Sequence, residues 1–95
     1  MAELRMNQFS EMGKAGNMTI HAPVVGDMVV SSVTIALADA TFSATTQPIV
    51  ELYAEADCHI NFDAAATTST YFMAAGERLP FILQPGTVVH VKNTA

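Results

Sequence analysis

The sequence predicts an all-β protein, a small antiparallel β-sandwich or jelly-roll-like barrel, and three observations carry that prediction. From Ile49 to Asp63 apolar and polar residues alternate for longer than anywhere else in the chain. Elsewhere, short alternating runs are separated by Gly, Pro and Asp turn signals, a pattern typical of small all-β folds. No helical period is present outside the first residues. A chain of 95 residues makes one domain large enough to bury its own core. The expected organisation is an N-terminal arm over residues 1–16 and a single β-sandwich domain over residues 17–95.

In the long alternating stretch, Val50, Leu52, Ala54, Ala56, Cys58, Ile60 and Phe62 share one parity, and Glu51, Tyr53, Glu55, Asp57, His59, Asn61 and Asp63 share the other. Successive side chains of a strand point to opposite faces, so this reads as one half-buried strand with a bend or bulge at Ala54–Asp57, where small, weak β-formers gather.

Taken in order, residues 1–16 place Leu4, Met6, Phe9 and Met12 at no clean period ahead of Gly13 and Gly16. They suit a short helix or an extended arm. Asn17 to Val25 suits an edge strand because Pro23 falls within it. Gly26-Asp27 makes a turn, and Met28 to Ala38 forms a strand with Val33, Ile35 and Leu37 on one face. Phe42 and Ala44 alternate with hydroxyl residues before Gln47-Pro48. After Asp63, the small-residue run Ala64 to Thr70 reads as a loop and Tyr71 to Ala74 as a strand. Gly76 marks a turn, Leu79, Phe81 and Leu83 alternate, Pro85-Gly86 fits a type II turn, and Val89 and Val91 form the inward pair of the last strand.

Composition narrows the function. Charged residues are 14% against 51% hydrophobic, below the roughly 25% charge usual in soluble domains, and the difference is made up by Ala, Thr and Ser, which suit contacts with other subunits. A net charge of −5 with only Arg5, Lys14, Arg78 and Lys92 as cations argues against nucleic acid as a partner. No apolar run approaches the roughly 20 residues of a membrane span, and the first residues lack a signal peptide's order, so the expectation is a protein made in a cytosol with no membrane partner. Cys58 sits in the apolar alternation and reads as a small core residue.

The candidate chemistry is thin. Asp57, His59, Asn61 and Asp63 share a strand face, but alternate residues stand nearly 7 Å apart while a metal needs ligands converging within about 2.0–2.6 Å, so a solvated polar face is the expectation. Pro85-Gly86, His90, Asn93 and His59 resemble parts of cupin metal motifs, yet the His-x-His pair and the following glutamate are missing. Cys58 and His59 point to opposite faces, so the imidazole cannot activate the thiol. Tyr53, Tyr71 and the 64–70 loop offer a sugar-binding surface without tryptophan. The expectation is a non-enzyme with no cofactor and no metal.

From Ile49 to Val91, the run IVELYAEADCHINF, a small-residue loop and then YFMAAGERLPFILQPGTVVHV resemble a pattern recurrent in small structural proteins of tailed bacteriophages and prophages. In that pattern a strand bearing Asp-Cys-His leads to an Ala/Thr loop, a Pro-Gly turn and a Val-rich final strand. Asp63 stands here where the pattern has a glycine. The resemblance implies a virion β-sandwich of the head decoration or cement type, assembled in the host cytoplasm, with the major capsid protein or other virion subunits as partners. It also implies a homo-oligomer, commonly a trimer. A head–tail adaptor or a tail or fibre component is the alternative position, and a small carbohydrate-binding β-module the alternative function. Because Leu4, Met6, Phe9 and Met12 lack a period that would bury them at home, they are the residues expected to dock on a partner.

Overall fold

The computed structural model describes residues 2–9, 12–14, 21–23 and 29–95. They form ten strands and no helix: β1 (Glu3–Phe9), β2 (Met12–Lys14), β3 (His21–Pro23), β4 (Val29–Thr34), β5 (Ala40–Thr41), β6 (Ile49–Ala54), β7 (Cys58–Phe62), β8 (Tyr71–Met73), β9 (Arg78–Ile82) and β10 (Val89–Lys92). One antiparallel sheet runs β4-β1-β6-β9 and a second runs β5-β10-β7-β8, while β2 and β3 pair as a separate ribbon. The fold is all-β and sandwich-like.

The register explains the core. Met6 lies opposite Leu52 and Leu52 opposite Leu79, while Leu4 lies opposite both Ala54 and Val33. This puts one parity of every strand of the first sheet on the inner face. From the second sheet, Cys58 opposes Met73 and Ile60 opposes Val91. All of these except the half-buried Val33 and Leu79 are fully buried and form one cluster with Val50, Val89, Phe42 and Ile35. Phe62 and Phe81 meet edge to face across the layers at 5.1 Å.

The Ile49–Asp63 alternation is two strands, not one. It breaks at Glu55–Asp57, and there the chain leaves the first sheet and enters the second. Such corners are where sandwiches let a strand change sheets. Two carboxylates tie this one down: Glu55 Oε1 accepts from the Glu3 amide at 2.8 Å, and Asp57 Oδ1 from the Ala75 amide at 2.8 Å. Parity survives the corner, so Cys58 and Ile60 remain inward.

The arm is a second correction. Residues Glu3–Phe9 lie between β4 and β6 in the middle of the first sheet, so the domain boundary expected at residue 16 does not hold for them. Leu4 and Met6 keep a period of two. The next inward position belongs to Gln8, a buried amide whose Oε1 accepts from the backbone of Thr46 at 2.9 Å and of Gln47 at 3.3 Å. That polar residue in an apolar series is what hid the strand.

Other expectations divide. β4 ends at Thr34, so its alternation carries Ile35 into the core but leaves Leu37 exposed. In the following segment Phe42 and Thr45 are buried and Ala44 is exposed. Val89 and Val91 are fully buried. Gly76 and Gly86 have φ of 85° and 98°, and the Thr87 amide donates to the Gln84 carbonyl at 3.1 Å, closing the Pro85-Gly86 turn as a type II geometry requires. Of the edge strand expected over 17–25, β3 covers 21–23; its remainder, the Gly26-Asp27 turn and Met28 lie outside the described residues.

Candidate interaction surfaces

Of the residues expected to dock on a partner, Leu4 and Met6 are not free to do so. Leu4 and Met6 are core residues of their own domain, and Phe9 is buried at the end of β1. Met12 opens β2, and its side chain lies outside the described part of the molecule. A central strand has both its backbone edges used by neighbours, so β1 has no edge to offer, only its outer face.

The outer face of the first sheet divides into a charged half and an apolar end. Arg5 Nε donates to Glu55 Oε2 at 2.8 Å and Arg78 Nη1 to Glu51 Oε1 at 2.9 Å, with the Arg78 guanidinium 4.8 Å above the Tyr53 ring. The Arg5 hydrogen bond, helped by a hydrogen bond from the Glu3 backbone amide, holds the Glu55 carboxyl below its ordinary value, and Glu55 in turn raises Arg5. Two of the four cations are thus spent on neighbouring carboxylates. At the other end Phe9 is opposite Ile49 and Ile49 opposite Ile82. These three, with Pro80, Phe81 and Glu51, line a groove of about 340 Å³. Ile82 is 87% exposed. The alternation of Leu79, Phe81 and Leu83 assigned the inward parity of β9; the large apolar residue on the opposite parity was the signal for this site.

On the outer face of the second sheet, each member of the polar row Asp57 to Asp63 holds a backbone segment. His59 Nδ1 donates to the Thr70 carbonyl at 3.0 Å, and Asn61 Nδ2 to the Ala65 carbonyl at 3.2 Å. Asp63 accepts from the Val88 amide at 2.8 Å while its own amide donates to the Val88 carbonyl at 2.8 Å. The row is therefore a solvent-facing set, as expected, that also tethers loops. His90 joins it: its Nδ1 donates to Asp39 Oδ2 at 2.9 Å, and Asp39 Oδ1 accepts from the Ala66 amide at 2.8 Å. Burial opposes ionisation of Asp39, but these two donors outweigh it and its pKa is lowered. Among the described residues no three His, Cys, Asp or Glu side chains converge as metal ligands.

The thiol of Cys58 is fully buried, and burial pushes its pKa up to about 11, which removes the thiolate needed for nucleophilic chemistry. Tyr53 and Tyr71 belong to different sheets and cannot share one sugar platform. Tyr71 and Phe72 are each exposed next to the 64–70 loop, but as successive residues of β8 they stand on opposite faces of the strand.

No family model, curated protein or solved structure matches this chain.

A last feature lies between β4 and residues 41–46, where the sandwich is open along one side among the described residues. A cleft of about 400 Å³ there is lined by Met6, Val29, Ser31, Val33, Phe42 and Ser43, among others, with no charged side chain. The buried hydroxyls of Ser31 and Thr45 have no hydrogen-bond partner among the described residues.

Proposed function

We propose that this protein is a non-enzymatic structural subunit of a tailed-phage virion, a head decoration protein that stabilises the shell by bridging capsid subunits. The observation that carries the reading is Ile82, held on a laddered edge strand at the rim of an apolar groove and almost wholly exposed. Large apolar groups fixed in such positions mark protein contacts. Beside it, Arg78 and Glu51 are already paired, so the groove can be covered without burying an unpaired charge from this neighbourhood. The resemblance of Ile49–Val91 to small virion proteins supplies the identity of the partner, the major capsid protein. Binding across subunit joints adds stability to the shell by mass action and needs no catalytic group.

The test is attachment of the purified protein to shells lacking it, with Ile82→Glu beside the natural chain. The variant is expected to fold and melt normally but to lose attachment; equal attachment would remove the groove from the proposal. Mass spectrometry of virions decides the position, since on the order of hundreds of copies means decoration and about a dozen means a ring at the head–tail junction. A second reading, a carbohydrate-binding module, is favoured by Phe72 standing exposed beside His59 and a hydroxyl-rich loop. A glycan array with Phe72→Ala as control separates it from the first.

A further inference from the structure

The four edges of the two sheets are guarded unequally. β5 and β8 have two and three residues, too short to template another strand. On β9, the Leu83 amide donates to the Pro48 carbonyl and the Ala54 amide to the Glu77 carbonyl. Odd-numbered residues of β9 therefore face β6, and Pro80 stands at an outward position where its missing N–H denies a partner a bond. Arg78 adds a charge. These are the usual devices against edge pairing. β4 has none of them: its six residues, VVSSVT, contain no charge and no proline, and no strand pairs with its outer edge among the described residues.

The phase of β4 is readable as well. The Ile35 amide donates to the Ala2 carbonyl at 3.1 Å, so Val29, Ser31 and Val33 turn their backbone groups to β1 while Val30, Ser32 and Thr34 turn theirs outward. Val30 is 66% exposed, and Val29, although on the inner face, is 39% exposed in the open cleft.

We propose that β4 is the contact through which two copies of this chain pair, antiparallel, about a two-fold axis at Ser31. In that register Val30 and Ser32 of each copy exchange backbone hydrogen bonds with Ser32 and Val30 of the other. Ser31 meets the second copy's Ser31 in a non-hydrogen-bonded pair, where Cα atoms approach to about 4.5 Å and side chains are closest. The Ser31 hydroxyl, without a partner among the described residues, then finds one in the second copy's Ser31, and Val29 is covered by the second copy's Val33. A strand without charge can face itself with no like-charge conflict, even in a chain of net charge −5. The result is one continuous eight-stranded sheet. This pairing is independent of what the Ile82 groove binds.

Sedimentation of the full chain, together with Val30→Lys, Ser31→Cys and Ser32→Cys, tests it. The natural chain should sediment at twice its 10.1 kDa, and Val30→Lys at the mass of one chain with an unchanged circular dichroism spectrum. Mild oxidation should join Ser31→Cys into a disulfide dimer far faster than Ser32→Cys, the buried Cys58 of the natural chain giving the background. A single-chain or trimeric mass for the natural protein, a dimer that survives Val30→Lys, or preferential crosslinking at position 32 would each overturn the proposal.

Discussion

Asp63 occupies the left-handed region with φ of 60°, which costs an ordinary L residue roughly 1–2 kcal/mol but suits Asp, Asn and Gly better. Its carboxylate also accepts the Val88 amide. Asp63→Ala loses both advantages and is expected to cost about 1–3 kcal/mol in urea unfolding, whereas Asp63→Asn, which keeps the conformation and an acceptor, should cost less than about 1 kcal/mol. Equal losses would show that neither feature matters. At Cys58 the prediction is chemical: with its thiol buried and raised to about 11, it should resist iodoacetamide at pH 8 in the folded protein and react promptly in denaturant. Gln8 shows the limit of residue-level reading, since a glutamine bonded to two amides 38 and 39 positions away in the chain looks, in sequence, like a break in the strand.

At the scale of elements, β1 decides how the molecule responds to truncation. A terminal arm could be removed without harm, but β1 supplies Leu4 and Met6 to the core and backbone partners to both β4 and β6. Deleting residues 1–16 is therefore expected to abolish the cooperative unfolding transition. Leu4→Ala, Leu52→Ala and Ile60→Ala should each cost roughly 2–5 kcal/mol, the range for emptying a buried site. Thr68→Ala, on the exposed loop, should cost less than about 0.5 kcal/mol. A folded, stable truncation would return the segment to the status of an arm. The corner at Glu55–Asp57 carries the same lesson: a weak point in β propensity was legible, but whether the strand bends within one sheet or crosses to another depends on the groups that meet it, here the amides of Glu3 and Ala75.

For the whole molecule, the outer face of the second sheet makes stability depend on acid. Asp39 has a folded pKa below its ordinary value because His90 and the Ala66 amide stabilise the carboxylate against the cost of burial. A depressed carboxyl contributes its stabilisation in full above the unfolded pKa of about 3.9 and loses it as pH falls through the lower, folded value. Glu55 acts in the same direction through Arg5. The melting temperature should thus fall below about pH 4, and Asp39→Asn should be less stable than the natural chain at pH 6 but fall less steeply on acidification. Parallel profiles would take Asp39 out of the account.

Fold class, the parity of the second half and the turns at Gly76 and Pro85-Gly86 were readable from the residues alone, because each rests on short-range rules: side chains alternate along a strand, and only certain residues accept a positive φ. Val89 and Val91, Cys58 and Ile60, and the Pro85-Gly86 turn were all legible for that reason. Only the tertiary structure decided that Leu4 and Met6 belong to a central strand, that the longest alternation is divided between two sheets, and that the row Asp57 to Asp63 tethers loops. It also decided which edges are guarded and where Ile82 stands. These depend on which strand lies beside which, and strand pairing is settled by burial and hydrogen bonding between segments far apart in the chain, whose identity no local pattern encodes.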